Sequence, residues 1–172
     1  MTAPSTPTAP LPGAPFVSYR DGQLMVEGVL LSDLARRHGT PLFVYSKAAI
    51  LAALAAYQRG LAGRQALICY AMKANSSLAI LKLLADAGCG FDIVSAGELE
   101  RALAVGATPS QIIFSGVGKT RAEMCRALEA GVGCFNVESL AELDVLNQVA
   151  LELRTVAPIS IRVNPNVDAR TH

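Results

Sequence analysis

Apolar residues recur along this chain in short runs that begin near Ala66, Gly90, Ile112, Gly133 and Ile159, roughly 21 to 26 residues apart. Between the runs the spacing turns helical, over Ser77 to Ala87, Ala96 to Val105, Arg121 to Ala130 and Leu140 to Leu153. Strands alternating with helices at this pitch predict successive βα units on a parallel sheet. The unbroken apolar run Ala66 to Ala71 predicts a strand buried on both faces. A five-stranded flavodoxin-like sheet could be complete within such a chain, whereas a (β/α)8 barrel needs about 250 residues. Spacing alone leaves both open.

Upstream of Gln65 the pattern is less regular. Phe16 to Tyr19 and Leu24 to Val26 flank Arg20-Asp21-Gly22-Gln23, whose Asp-Gly pair predicts a hairpin turn. Leu30, Leu31, Leu34 and Ala35 predict a short helix with Ser32 near its start as a cap, ending at His38-Gly39 with Pro41 beyond. Leu42 to Tyr45 reads as a brief strand, and Ser46 as the cap of a helix running to about Tyr57. The expected division is a disordered Pro/Ala-rich leader over 1–15, a β/α segment over 16–45, and a βα region over 46–172.

A local repeat runs through the regular part. Ala87-Gly88-Cys89-Gly90-Phe91-Asp92-Ile93-Val94-Ser95 resembles Ala130-Gly131-Val132-Gly133-Cys134-Phe135-Asn136-Val137-Glu138-Ser139, with one residue inserted. Each copy is a helix end, a strand and a helix cap. Ser95-x-x-Glu98, Thr120-x-x-Glu123 and Ser139-x-x-Glu142 read as capping boxes, so their carboxylates are not expected to be catalytic.

Composition narrows the function. Net charge is +1 and 17% of residues are charged, which gives no basic surface for nucleic acid and no acidic tail. Half the chain is hydrophobic (52%, mean hydropathy +0.38), yet no run reaches the ~18 apolar residues of a membrane span. Cys69, Cys89, Cys125 and Cys134 lie far apart with only two histidines in the chain, so metal-ligand spacing is absent and a reduced, cytoplasmic protein is expected. Five of the nine prolines fall in the first fifteen residues, without the basic and apolar regions of a signal peptide.

One lysine stands out. Lys73 follows the strand run and precedes a helix, which places it at the carboxyl end of a strand, the face where parallel barrels build their chemistry. A lysine in a βα turn is ordinarily a solvated surface residue. This chain, however, has only four lysines against eleven arginines, so lysine is not its default solubilising cation. A desolvated lysine can act as a nucleophile and form a Schiff base with a carbonyl.

Five segments, in order, resemble a known family. They are Thr40 to Ser46, Tyr70-Ala71-Met72-Lys73-Ala74-Asn75 with the following Ser76 to Leu81, Phe91 to Leu99, Ile112 to Thr120, and Arg162 to Asp168. Together they resemble the diaminopimelate decarboxylases, within the pyridoxal-phosphate decarboxylases of alanine-racemase-like fold. The resemblance implies a (β/α)8 barrel, of which this chain carries about the first five βα units, followed by a β-rich domain with which the N-terminal segment would pack. It implies that Lys73 holds pyridoxal 5'-phosphate as a Schiff base and that the reaction is decarboxylation of meso-diaminopimelate to L-lysine.

Two further positions are implied to bind the cofactor. Asp92 resembles a family acidic residue near the lysine, although Asp is ordinary at a strand end and Asn136 takes its place in the second repeat copy. Arg162, amid Ile159, Ile161 and Val163, must be paired or face a polar interior, and resembles a family arginine reaching the same site. The family's phosphate-binding glycine loop, ring-stacking histidine, pyridine-nitrogen partner, substrate-binding arginine and tyrosine, and catalytic cysteine have no counterpart before His172. Gly116-Val117-Gly118-Lys119 lacks P-loop spacing. The chain alone is therefore expected to be inactive, and the parent a homodimer acting on a small amino acid, with no nucleic-acid or membrane partner. A related ornithine or arginine decarboxylase, an alanine racemase and a non-catalytic pyridoxal-phosphate-binding barrel protein are the alternatives.

Overall fold

The computed structural model describes residues 11–165 and 167. Most of the expected leader, and Asn166 and Asp168 of the last motif, lie outside the described residues. Over Leu11 to Phe16 the chain makes hydrogen-bonded turns, with Ala14 N–H donating to Leu11 O and Phe16 N–H to Gly13 O. Two compact units divide the chain, Met1–Arg64 and Gln65–His172; the helix that begins at Lys47 thus belongs to the first.

In the first unit, β1 (Val17–Arg20) and β2 (Gln23–Val26) pair antiparallel around Asp21-Gly22. Both turn residues have positive φ (50° and 73°), the geometry that matches the twist of a hairpin and selects Asp-Gly. A second turn of the same kind, Glu27-Gly28 (φ 50° and 86°), adds a strand that the helical reading of Leu30 concealed, β3 (Val29–Leu30). The helix α1 (Leu31–His38) accordingly starts at Leu30 with no side-chain cap, and Ser32 lies inside it. Leu42 to Tyr45 forms no strand. Ser46, beyond it, has an extended backbone, and its hydroxyl accepts from Ala49 N–H and caps α2 (Lys47–Gly60), three residues longer than expected. Glu27 reinforces that cap from the second turn, accepting from Ser46 Oγ and from Ala48 N–H at 2.7 Å. These bonds, the hydroxyl's first, hold the Glu27 carboxyl below its ordinary value.

The second unit is a five-stranded parallel sheet of β4 (Cys69–Ala71), β5 (Gly90–Ile93), β6 (Ile112–Phe114), β7 (Cys134–Val137) and β8 (Ile159–Ile161). The strands lie side by side in chain order. A doubly wound sheet reverses its order at a switch point; this one never does, which is the winding of a barrel and resolves the choice that spacing left open. The helices α3 (Leu78–Asp86), α4 (Ala96–Ala104), α5 (Arg121–Ala130) and α6 (Leu140–Glu152) follow their strands. Right-handed crossovers in an unreversed order carry them to one face.

Strand alternation sorts the side chains. Phe91, Ile93, Ile112, Phe114, Phe135 and Val137 project to the helix-covered face and are buried. Phe91, Phe114 and Phe135 are fully enclosed, and the last two stack with centroids 5.9 Å apart. Burial of each contributes about 1.5–3 kcal/mol. The intervening residues Asp92, Ser115, Asn136, Ser160 and Arg162 fall on the opposite face, at the carboxyl ends of the strands. The first strand departs from the expectation of burial on both faces, and the last strand is open as well. In β4 all three residues are half-buried, Leu67 before it is 45% exposed, and Ile161 in β8 is 68% exposed. Each has one strand neighbour, so one side of each lacks cover among the described residues.

The repeat also has a packing reason. A Cβ on Gly90 would lie 2.4 Å from Gln111 O, and one on Gly133 would lie 2.1 Å from Ser110 O. The two repeat glycines thus pinch the same short helical turn, Pro109–Gln111, from the strands on either side of β6. Only a residue without a side chain permits that approach.

Candidate functional site

Lys73 sits in a single 3-10 turn, Met72–Ala74, immediately after β4. The motif around it is local scaffolding. Met72 is fully buried and anchors the turn. Tyr70 Oη donates to Asn75 O at 3.2 Å, Asn75 Oδ1 accepts from Ser77 N–H at 2.9 Å at the start of α3, and Arg101 Nη1 donates to Ser76 O at 3.2 Å. The lysine itself is exposed, not desolvated as the buried-strand reading implied, because it opens into a cleft. No carboxylate pairs with it among the described residues.

That cleft, about 480 Å³, is lined by Lys73, Asp92, Ser115, Asn136, Glu138 and Arg162 among others. All three residues expected from the sequence to serve the site are therefore brought to one place. Each comes from a different strand near its carboxyl end or from the one or two residues beyond it, as in barrels generally. Asp92 on β5 accepts from Ser115 Oγ at 2.5 Å through Oδ1, and Ser115 Oγ accepts from Asn136 Nδ2 at 2.9 Å. A carboxylate only accepts, so the Ser115 proton points to Asp92 and its lone pair to the amide. Arg162, the residue after β8, donates from Nη1 to Glu138 Oε2 at 2.7 Å, which satisfies the requirement that an arginine in that segment be paired. Glu138 is 8% exposed and its other oxygen accepts from Gly116 N–H at 2.9 Å. Gly116, at φ 99°, is in a conformation that favours glycine, with Val94 3.4 Å from where a Cβ would stand.

Sequence reasoning missed Ser115, Asn136 and Glu138. Asn136 was visible as the repeat counterpart of Asp92, a likeness that counted against the aspartate when taken alone. Glu138 takes the repeat position of Val94, and a carboxylate in place of an apolar residue is a signal that comparing the two copies exposes. The capping expectation holds in full at Thr120, where Glu123 also reaches across to Ala96 N–H at 3.0 Å. At Ser95 and Ser139 the hydroxyls cap as expected, but Glu98 and Glu142 reach one residue further back, to Val94 N–H at 2.7 Å and Glu138 N–H at 3.1 Å.

The donor set fits a pyridoxal group: an unpaired amine for an aldehyde, with a fixed carboxylate and a fixed guanidinium in one cleft. A barrel-type βα winding with an exposed amine at its strand ends is an arrangement that can hold an aldehyde cofactor. Residues 47–172 match the family described as pyridoxal-dependent decarboxylase, pyridoxal binding domain, and the chain belongs to that family. Pyridoxal phosphate is the cofactor the family binds.

Relatives and solved structures agree. The diaminopimelate decarboxylase of Pseudomonas aeruginosa is 60% identical over 155 residues, covering 90% of this chain and 37% of that protein. That of Vibrio cholerae is 58% identical over 157 residues, covering 91% and 38%. A crystal structure of the diaminopimelate decarboxylase of M. jannaschii in co-complex with L-lysine superposes with a TM-score of 0.86 at 38% identity, over 94% of this chain and 39% of that one. A structure from Aquifex aeolicus gives 0.85 at 48% identity, over 92% and 40%. The chain thus spans less than two fifths of the length of these curated relatives. Its fold is the opening part of the barrel those structures contain. Among the described residues no helix is long and apolar enough to cross a membrane.

Proposed function

We propose that this chain is the cofactor-anchoring part of a diaminopimelate decarboxylase, which converts meso-diaminopimelate to L-lysine and carbon dioxide. The observation that carries this reading is the convergence of Lys73, Asp92 and Arg162 on one cleft at the strand ends. The identity to diaminopimelate decarboxylases over nine tenths of the chain supports that substrate over ornithine, arginine or alanine.

The residues divide the work. Lys73 Nζ, on a turn braced by Met72 and Asn75, is the covalent anchor for the cofactor aldehyde. Asp92, its Oδ1 held by Ser115, sets a negative charge of fixed direction beside the site. Arg162, held by Glu138, sets a fixed cation on the wall for an anionic group. Charges arranged in advance need no reorganisation when the reaction begins. Bound there, pyridoxal phosphate supplies an electron sink for the pair left behind as carbon dioxide departs.

The protein is proposed to act as a cytoplasmic homodimer, as the family resemblance implies. Its N-terminal β1–β3 sheet, which exposes Tyr19 and Val29, is proposed to pack with a β-rich domain of the full-length protein. The test is release of carbon dioxide from meso-diaminopimelate by the full product of the gene. Activity should disappear in Lys73→Ala, and comparable turnover of ornithine would contradict the substrate assignment.

A further inference from the structure

The side chain of Lys119 is fully enclosed, with 0% of it exposed. Nothing in the anchoring of a cofactor at Lys73 calls for a second, enclosed lysine. Its three protons have three acceptors: Gly116 O at 2.7 Å, Asn136 O at 2.8 Å and Glu142 Oε1 at 2.7 Å. Its ammonium also stands over the Phe114 ring, 5.7 Å from the centroid. These partners come from the loop after β6, the end of β7 and the first turn of α6.

The bonds close a ring. Lys119 holds Gly116 O, Gly116 N–H donates to Glu138, Glu138 N–H donates to Glu142, and Glu142 returns to Lys119. One oxygen of Glu138 is left over, and it takes Arg162. Two of the residues Lys119 grips directly, Gly116 and Asn136, line the cleft. A buried ion pair is seldom a net gain in stability over apolar residues of the same volume. What it does supply here is a fixed direction for Glu138.

We propose that Lys119 is a positioning residue for the cofactor cleft: by closing this ring it holds Glu138 still, and through Glu138 it aims the Arg162 guanidinium into the cleft. The proposal rests on the reading that the cleft takes pyridoxal phosphate at Lys73. Lys119 itself, enclosed by its own partners, touches neither cofactor nor substrate.

The test is a mutant cycle on cofactor affinity in the full gene product, read by the absorbance of bound pyridoxal phosphate. The paired variant Lys119→Met/Glu142→Gln removes both buried charges together and spares the fold a lone carboxylate. It should weaken binding about tenfold, as should Arg162→Ala. Combined with the paired variant, Arg162→Ala should cost less than about threefold more, because the arginine has already lost its aim. A merely structural loosening would multiply the two losses. Multiplied losses, an unchanged paired variant or a silent Arg162→Ala would each overturn the proposal.

Two controls keep failures apart. Glu138→Gln leaves Lys119 and Glu142 paired, so it reads the same link if the paired variant does not fold; it should match Arg162→Ala, and wild-type binding would overturn the link. If Lys73→Ala still binds the cofactor covalently, the anchoring reading fails. Arg162 is then followed without cofactor, by its rate of modification with phenylglyoxal. Faster modification in the paired variant supports the ring, and an unchanged rate overturns it.

Discussion

Asp92 and Asn136, equivalent positions in the two repeat copies and two strands apart, meet on one hydroxyl: Ser115 Oγ donates to the first and accepts from the second. The repeat supplies matching strands, and the acid in one copy against the amide in the other gives the row its polarity. Ser115→Ala should lower stability by about 1–3 kcal/mol, since it strands a half-buried carboxylate and amide together. Asn136→Ala should then cost less in the Ser115→Ala background than alone. Urea unfolding of the four proteins checks this, and strict additivity would contradict the shared-hydroxyl geometry.

The repeat glycines separate two kinds of constraint. At Gly133 a Cβ would meet the Ser110 backbone at 2.1 Å, which cannot yield as a flexible side chain could. Gly133→Ala should destabilise at or above the upper end of about 1–3 kcal/mol. At Gly131 the surroundings are open and only the left-handed backbone (φ 80°) opposes a side chain, so Gly131→Ala should cost about 1–2 kcal/mol. Thermal or urea unfolding should rank Gly133→Ala as the more damaging; the reverse order would mean that the close approach is absent.

Cys69, on β4, should be slow to alkylate. Burial first, then the nearby Cys89 and Asp92, push its thiol up to about 11 from the ordinary 9.0. At pH 8 its thiolate fraction is about a hundredfold below that of an ordinary cysteine. Iodoacetamide labelling read by peptide mass should show that lag. The same shift favours the neutral thiol in the fold, so its contribution to stability is complete below pH 9 and lost as pH rises from 9 through about 11. Cys69→Ala should remove that part of the alkaline decline; a rapidly labelled Cys69 would contradict its burial.

Glu123 carries the opposite sign. The Ala96 amide, then the Thr120 amide, hold its carboxyl below 4.5. Its contribution is present above about 4.5 and lost as pH falls through the folded value. The stability gap between the wild type and Glu123→Gln should therefore narrow on acidification from pH 7 to pH 3. A constant gap would mean that the charge plays no part in joining α4 to α5.

The elements most legible in the sequence are those that periodicity and caps specify together. Helix α5 lies at Arg121–Ala130 as read, because Thr120 and Glu123 fix its start and Gly131 its end. The hairpin at Asp21-Gly22 was equally plain. Helix α1 was not: Leu30 and Leu31 look helical side by side, yet Glu27-Gly28 turns the chain and claims Leu30 for β3. The strand expected at Leu42 to Tyr45 is apolar in composition, but a strand is made by a partner, which local sequence does not supply. Motif likeness singled out Lys73, Asp92 and Arg162, which line one cleft. Ser115 and Glu138 were not legible, since their roles depend on which strand ends lie adjacent, and strand order is set by the whole winding.

If Lys73 anchors pyridoxal phosphate, covalent trapping will find the cofactor on that lysine. The full gene product is incubated with the cofactor, reduced with borohydride, digested and mapped by mass. The reduced pyridoxyl label should fall on the peptide bearing Lys73, and the bound cofactor's visible absorbance should be lost in Lys73→Ala. A label on Lys47, Lys82 or the enclosed Lys119, with Lys73 unmodified, would contradict that anchoring.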